Sequence, residues 1–320
     1  MKLAPHPFSL RQLQYIVAVA DHKSFRSAAE ACHVAQPSLS AQVAQVEELL
    51  SVQLFERDRR TVALTTAGAA LVARARALLI AADDMVELAH GLSDPFAATL
   101  RIGIIPTVGP YLLPEIAPAL RKRYPKLQFV WFEDKTSVLA QRLECAELDA
   151  AIAALEADDL HDLPHAVLGR DAFVFAAPKG HPLANGKGAV RPDQLEGERV
   201  LLLDDGHCFR DQALSFCTRS GAEESDYRAT SLPTLVQMAA QGGGVTLLPS
   251  LAVELENRRH ALQVRPFAPK APGRTLALVW RKTTALTTVL GAVAETMRQE
   301  YARVAGRERA PRPRQAQAVE

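Results

Sequence analysis

Two cysteines, Cys208 and Cys217, lie nine positions apart in the stretch 204–217, with His207 and Arg210 beside the first. These two side chains, together with a predicted helix start just after Cys208, are surroundings that depress a thiol pKa and favour the thiolate. A thiolate attacks peroxide oxygen, and the sulfenic acid formed can condense with a second thiol to a disulfide. The residue types in this stretch therefore indicate thiol redox chemistry.

The spacing of the two cysteines adds a mechanical argument. The pattern from Asp211 to Cys217 predicts a helix with Ala213, Phe216 and Cys217 on one face. Nine helical residues span roughly 13 Å along the axis, whereas a disulfide requires Cα atoms about 4.4–6.8 Å apart. Helix and bridge cannot coexist, so the stretch is a candidate two-state element. The alternative is two unrelated buried thiols, because free cysteine is commonly a small core hydrophobe.

Composition places the chain among ordinary globular proteins. It has 320 residues, 48% hydrophobic and 23% charged, enough for two domains with good cores. The first 76 residues carry nine Lys/Arg against six Asp/Glu, a modest basic excess compatible with DNA binding. The start lacks the apolar core of a signal peptide, and no run is long enough for a membrane span. We therefore expect a cytoplasmic protein without membrane contact, where a disulfide is usually catalytic or redox-sensing.

Cys32 and Cys145 complete the set of four cysteines. Neither has a partner at the spacing of metal ligands, so we interpret both as packing residues. The sequence also lacks a nucleophile–base triad and a glycine loop that would hold phosphate. We predict no metal site, no cofactor and no enzymatic activity.

The N-terminal region has the pattern of a helix-turn-helix. Ser9 and Ser24 can cap two helices, and Pro37 lies near the first turn of a third. Leu39, Val43 and Val46 would face inward, leaving the polar side of this recognition helix for base edges in the major groove. A strand-turn-strand wing with arginines suits phosphate or minor-groove contact. The expected DNA contacts are Gln36, Pro37, Ser38, Ser40, Gln42, Arg57, Arg59 and Arg60. The pattern alone leaves a plain alanine-rich helical bundle equally open.

Residues 66–92 read as one long helix. Apolar residues recur at spacings of four and three, a heptad seam that favours packing on a partner helix. The members of the seam are Leu71, Ala75, Leu78, Ala82, Met85 and Ala89. The alternative is an amphipathic helix packed only on its own domain. We favour dimerisation, since a helix-turn-helix usually reads a two-fold site as a dimer.

From residue 98 strands and helices alternate, which predicts an α/β effector module of two lobes resembling a periplasmic binding protein. Thr107 and Thr136 each follow a predicted strand, at the edge where open α/β sheets bind ligands. Threonines there are more often helix caps. The predicted divisions are a winged helix-turn-helix domain (1–65), a dimerisation helix (66–92), lobe I (98–168 and 268–305), lobe II (169–267) and a disordered tail (306–320).

Two stretches carry a resemblance to a known family. The stretch 206–212, Gly-His-Cys-Phe-Arg-Asp-Gln, and residues 9–68, including Gln36-Pro37-Ser38-Leu39-Ser40, resemble the peroxide-sensing LysR-type transcriptional regulators. The match extends from residue 9 to 302. It departs at Ser51, where the family usually has glycine, and at Pro106, where one member of the family carries histidine.

The resemblance implies a peroxide-responsive regulator in which Cys208 is the peroxidatic cysteine and Cys217 the resolving one. It implies peroxide contacts from Thr107, Thr136, His207, Arg210, Asp211 and Arg281, where Arg281 could instead be a surface arginine at a strand end. It also implies double-stranded DNA, hydrogen peroxide and RNA polymerase as partners, and a homodimer or homotetramer.

Three other functions remain open at this point. One is a LysR-type regulator that binds a small organic effector between its lobes, which would not need the cysteine pair. The others are a thiol peroxidase and a transport-type binding protein. A DNA-binding N-terminal unit and the missing export signal argue against both.

Overall fold

A computed structural model of the chain describes residues 6–57, 62–91, 94–160, 162–186, 188–269 and 271–309. The chain divides into two compact units, Met1–Ala89 and His90–Glu320. Among the residues expected to contact DNA, Arg59 and Arg60 lie outside the described residues, as does the side chain of Arg57.

The first unit is built from helices with a two-stranded wing. Ser9 caps the first helix with a capping box, accepting the Gln12 N–H while the Gln12 side chain accepts the Ser9 N–H. The Ser24 hydroxyl accepts the Ser27 N–H at the start of the second helix. The elements are α1 Leu10–His22, α2 Phe25–Ala31, α3 Gln36–Leu50, β1 Phe55–Arg57, β2 Val62–Leu64 and α4 Thr66–Gly91, with β1 and β2 antiparallel.

Helix α3 has the inward face that the sequence predicts. Leu39, Val43 and Val46 are fully buried, whereas Gln36 and Ser38 are exposed. The helix ends at Ser51, whose φ of 51° and ψ of 40° are left-handed. A non-glycine residue in this conformation costs about 1–2 kcal/mol. The departure from glycine noted in the sequence therefore leaves the turn intact at an energetic cost.

Helix α4 divides its apolar residues between two environments. Val72 and Ala75 belong to the buried core of the first unit, and Leu71 and Leu79 pack against that core. Farther along, Leu78 and Met85 are 51% and 69% exposed. The first residues of the predicted seam therefore pack in the core of the first unit, whereas Leu78 and Met85 are exposed to solvent. Two of its residues, Ala75 and Leu71, contribute to their own domain as the alternative interpretation required.

The second unit is a mixed α/β module. Its strand order is β4-β3-β5-β11-β6-β9-β7-β8, with β10 paired to β6. The first half consists of β3 Thr99–Ile104, α5 Gly109–Arg123, β4 Gln128–Glu133, α6 Thr136–Glu144, β5 Ala150–Ala154 and β6 His165–Pro178. The second half consists of β7 Arg199–Leu203, α7 Cys208–Arg219, β8 Glu223–Ala229, α8 Leu232–Ala240, β9 Val245–Pro249, α9 Ser250–Glu256, β10 Leu262–Pro266, β11 Gly273–Trp280 and α10 Thr287–Arg309.

Strand β6 connects the two lobes of this module. Its first part, up to Ala172, pairs with β11, which in turn pairs with β5 of lobe I. Its second part, from Phe173, pairs with β9 and β10 of lobe II. Consequently the carboxyl ends of β3 and β4 belong to lobe I, and the carboxyl end of β7 belongs to lobe II. Ligands of open α/β sheets bind at such ends.

The C-terminal boundary predicted from the sequence is wrong by several residues. Helix α10 continues to Arg309, so residues 306–309 are helical, whereas a disordered tail was expected from 306. Pro311 is the first proline beyond this helix, and the polar residues before it are compatible with continued helical hydrogen bonding. Residues 310–320 lie outside the described residues.

Candidate redox site

Helix α7 contains both cysteines of the predicted pair. It runs from Cys208 to Arg219, so it begins three residues before the predicted Asp211, and both cysteines are free thiols. Nine helical residues separate them by roughly 13 Å along the axis and about half a turn around it. A disulfide needs Cα atoms about 4.4–6.8 Å apart. The predicted conflict between this helix and a 208–217 bridge is therefore present in the fold.

Cys208 is the first residue of α7. Gly206, with φ of 87°, turns the chain after β7, and His207 follows as an extended N-cap residue. The first N–H groups of a helix have no partner within it, and they stabilise an anion placed there. Cys208 therefore lies at the N-terminal end of the helix, beside these N–H groups.

Cys217 lies at the other end of α7 in an apolar environment. It is 3% exposed and belongs to the core cluster together with Ala213 and Phe216, as the predicted helical face required. The Phe216 ring packs edge-on against Phe267, with centroids 5.0 Å apart. Burial raises the pKa of the Cys217 thiol to about 12. At neutral pH this sulfur is a protonated thiol, and it stays unreactive while the helix persists.

A cavity of about 280 Å³ lies beside Cys208. Two residues that line it carry buried polar atoms without a hydrogen-bond partner among the described residues: the Thr136 hydroxyl, and both ends of the Gln212 amide. Thr136 is only 5% exposed. Buried polar atoms are normally paired, and these three are satisfied if a small hydrogen-bonding molecule occupies the cavity. The full lining is Thr136, Ser137, Glu156, Ala157, Asp159, Gly206, Cys208, Asp211 and Gln212.

Thr107 is held by a buried ion pair. The Arg274 guanidinium donates to the Thr107 hydroxyl oxygen at 2.6 Å and to the Thr107 carbonyl at 2.9 Å. It also donates to the Asp171 carboxylate at 3.0 Å, and Asp171 and Arg274 are both fully buried. Because the Thr107 oxygen accepts from Arg274, its hydroxyl hydrogen is left to donate elsewhere.

His207 is a buried neighbour of Cys208. Burial, reinforced by the nearby positive charge of Lys135, lowers the pKa of this imidazole, although Asp204 acts in the opposite direction. The ring is therefore mainly neutral at neutral pH, and it can donate or accept a hydrogen bond without adding a fixed positive charge.

Arg210 is buried and bound to carboxylates. Its Nη2 lies 2.7 Å from Glu224 Oε1, and its Nε lies 3.2 Å from Asp205 Oδ1. Arg228 reaches the same two acids. This network ties the first turn of α7 to β8 and to the preceding turn. Binding of peroxide by Arg210 stays a prediction.

Only part of the predicted peroxide site lines the cavity. Within the described part of the chain, Thr136, Cys208 and Asp211 belong to its lining, whereas Thr107, His207, Arg210 and Arg281 do not. Arg281 is buried and comes directly after β11, not at the surface. The roles of these side chains in binding peroxide stay predictions.

Four residues of this region were not selected from the sequence. Asp171 directly precedes the apolar run 172–178 and Arg274 lies just before the apolar run 276–280, and a charged residue beside a buried run is the signal that could have identified a buried pair. Gln212 stands one turn after Cys208, on the same side of α7. Lys135 has no sequence signal that separates it from a surface lysine.

Matches to known families cover both units. Residues 10–69 match the bacterial regulatory helix-turn-helix protein, lysR family, and residues 93–302 match the LysR substrate binding domain. The chain therefore belongs to the LysR family of bacterial regulatory proteins, a family of transcription regulators and not of enzymes.

Within this family the chain is of the OxyR type, that of the hydrogen peroxide-inducible activators. It is 42% identical to the hydrogen peroxide-inducible genes activator of Pectobacterium carotovorum subsp. carotovorum, over 91% of this chain and 96% of the relative. It is equally similar to the DNA-binding transcriptional dual regulator OxyR of Escherichia coli, over 91% and 95%. A structure of full-length OxyR from Pseudomonas aeruginosa, carrying one cysteine-to-aspartate substitution, superimposes with a TM-score of 0.73 at 35% identity, covering 92% of this chain and 96% of that one.

None of the described helices combines the length and apolarity needed to cross a bilayer. The described residues also contain no group of three or more His, Cys, Asp or Glu side chains arranged to hold a metal ion.

Proposed function

We propose that the chain is a hydrogen-peroxide-responsive, DNA-binding transcription regulator whose signal is a disulfide between Cys208 and Cys217. The observation that carries the proposal is the position of both cysteines in one helix that excludes their bridge. A covalent bond that forms there must change the local backbone, and this change is the signal.

The chemistry has two steps. The Cys208 thiolate attacks one oxygen of hydrogen peroxide, forming an S–O bond as the O–O bond breaks; the leaving hydroxide takes up a proton and becomes water. The Cys217 sulfur then attacks the sulfenic sulfur, loses its proton and displaces a second water. Two thiols and one peroxide give one disulfide and two waters. The two electrons come from the thiols.

The cavity supports the first step. The Thr136 hydroxyl and the Gln212 amide can hydrogen-bond the peroxide oxygens, and Thr107 has a hydroxyl hydrogen available to donate. Donors placed where charge develops on the leaving oxygen stabilise the transition state. His207, Arg210, Asp211 and Arg281 complete the proposed set, in which Arg210 acts through its ion pairs to hold the first turn of α7.

Burial of Cys217 supports the second step. A thiol with a pKa near 12 does not compete for peroxide, so the pair reacts in a fixed order. Sulfenic acid forms first, and the unwinding of α7 then brings the second sulfur within reach. Oxidation must favour the rearranged form by a few kcal/mol for the population to shift.

The output is assigned to the first unit. Gln36, Pro37, Ser38, Ser40 and Gln42 of α3 would read double-stranded DNA, with Arg57, Arg59 and Arg60 of the wing on its phosphates. The exposed apolar residues of α4, Leu78 and Met85, would pack on a second copy, giving a homodimer or homotetramer. RNA polymerase is the proposed partner of the activated form, and the cytoplasm, where bacterial DNA lies, the proposed location.

The test is a stoichiometric pulse of hydrogen peroxide, followed by peptide mass mapping and, in parallel, DNA footprinting. We expect one peptide pair linked through Cys208 and Cys217, and a changed footprint. Cys208→Ser and Cys217→Ser are the matched controls, and both should keep the reduced footprint. If no 208–217 linkage forms and the footprint does not change, the small-effector function becomes the better explanation.

A further inference from the structure

Lys135 connects the two lobes beside the redox site. It is the N-cap residue of α6 in lobe I, directly before Thr136. Its Nζ donates a hydrogen bond of 2.6 Å to the backbone carbonyl of Asp205, in the turn between β7 and α7 of lobe II. A carbonyl bonded to an ammonium group is held more firmly than one bonded to a neutral donor.

The lysine stem also packs on the next residue of that turn. A Cβ added at Gly206 would lie 3.0 Å from Lys135 Cδ, which is tighter than ordinary van der Waals contact. Gly206 has φ of 87°, a left-handed backbone conformation that favours glycine, and the lysine stem lies close to its Cα. Lys135 therefore contacts the turn through its head group and its stem, two residues before Cys208.

Formation of the disulfide requires one or both ends of α7 to move. The Cα atoms of Cys208 and Cys217 must approach by roughly 7 Å or more, from a helical separation of about 13 Å. The Asp205 carbonyl is three residues from Cys208, and Lys135 is anchored in the other lobe. Where Cys208 makes this movement, the turn is drawn away from the lysine.

We infer that Lys135 is a positioning residue that holds the 204–207 turn in its dithiol position and thereby sets the redox equilibrium of the Cys208–Cys217 pair. The inference rests on the proposed function, because it presupposes that this disulfide forms. The hydrogen bond and the packing exist in the dithiol form and are lost in the disulfide form, so they favour reduction.

The experiment is a redox titration of the full-length protein in glutathione buffers at pH 7 without oxygen. Oxidation of the protein dithiol by glutathione disulfide forms the protein S–S bond and yields two glutathione thiols, so peroxide reactivity does not enter. The variant Lys135→Met keeps most of the stem and removes the charge and the donor. The ratio of disulfide to dithiol is read by alkylation and mass spectrometry.

We expect Lys135→Met to raise this ratio about threefold to tenfold at a given buffer composition, as befits one partly exposed hydrogen bond. For a two-electron couple this corresponds to a potential roughly 15 to 30 mV more negative. Lys135→Arg retains the charge and the donors, so its ratio should stay close to the wild-type ratio. Lys122→Met, a loss of an exposed lysine on α5, is the matched control and should leave the ratio unchanged.

Thermal unfolding of the two redox forms gives a second measurement. Lys135→Met should lower the midpoint of the reduced protein and leave that of the oxidised protein unchanged, an asymmetry that a general loss of stability would not produce. A ratio within the wild-type error, with a normal wild-type disulfide, would overturn this inference alone. Failure of the wild-type protein to form the disulfide at any ratio would overturn the proposed function and this inference with it.

Discussion

The two ends of α7 surround their cysteines differently. At the N-terminal end, Cys208 borders a cavity lined by Thr136 and Gln212, whose buried polar atoms have no hydrogen-bond partner in the described part of the chain. At the C-terminal end, Cys217 packs among apolar side chains, where burial raises its pKa to about 12. One helix therefore carries one sulfur beside a cavity and one enclosed in the apolar core. The difference arises from helix polarity and from the neighbours, since the residue type is the same.

This difference also fixes the order of events in the proposed switch. If both sulfurs faced the cavity, two oxidised cysteines could form independently without moving the backbone. In the proposed mechanism Cys217 is buried, so the disulfide forms only when the helix opens, and the local free energy of opening contributes to sensing.

Exchanging each cysteine for serine breaks the comparison most directly. We expect Cys208→Ser to abolish the reaction with a stoichiometric peroxide pulse, because the remaining Cys217 thiol is buried and protonated. Cys217→Ser should still react and accumulate a sulfenic acid at Cys208. Dimedone labelling followed by peptide mapping distinguishes the two. Equal labelling at Cys217 in the Cys208→Ser protein would contradict the assigned roles.

The buried ion pair between Asp171 and Arg274, which holds Thr107, is tested by its contribution to stability. Asp171→Asn leaves the Arg274 guanidinium buried without its carboxylate, and breaking a buried ion pair in this way costs about 3–5 kcal/mol. The free energy of unfolding in urea measures the loss. Asp193→Asn, which breaks the exposed pair with Arg191, is the control and should leave the urea midpoint unchanged. If Asp171→Asn also left the urea midpoint unchanged, the buried ion pair would not contribute to the stability of the fold.

Thr136→Val separates binding in the cavity from stability. The hydroxyl has no partner among the described residues, so its loss should not lower the free energy of unfolding. The rate of sulfenic acid formation should fall by about tenfold to a hundredfold, as expected of a donor that acts in the transition state. Thr218→Val, on the exposed side of α7, is the matched control. An unchanged rate in Thr136→Val would remove Thr136 from the site.

Protonation of His207 should have a smaller effect, on the pH dependence of the free energy of unfolding. Burial first, and then the charge of Lys135, lower its pKa below the ordinary value of about 6.5. The unfolded chain therefore binds a proton more readily, and the free energy of unfolding should decline as the pH falls below about 6.5. Urea unfolding at pH 7.5, 6.5 and 5.5 measures the slope. His207→Gln should reduce it, and exchange of the exposed His22 should not.

Several local features could be predicted from the sequence. The inward face of α3 follows from its apolar spacing. Strand β8, Glu-Glu-Ser-Asp-Tyr-Arg-Ala, contains no apolar run; it lies at the edge of the sheet with most side chains exposed. An edge strand needs few buried side chains, so periodicity does not reveal it.

By itself, the sequence determined the cysteine spacing, the helical pattern after Cys208 and therefore the conflict between helix and disulfide, because these depend on neighbours along one chain. Only the tertiary structure decided which residues far apart in the sequence come into contact. Arg274 reaches Thr107 across 167 residues, and Lys135 reaches Asp205 across 70. Such contacts depend on how the two lobes share β6 and on where their strands end. A local sequence pattern does not determine which residues so far apart in the chain come together. Burial of Cys217, which fixes its pKa, is likewise a property of the packed core.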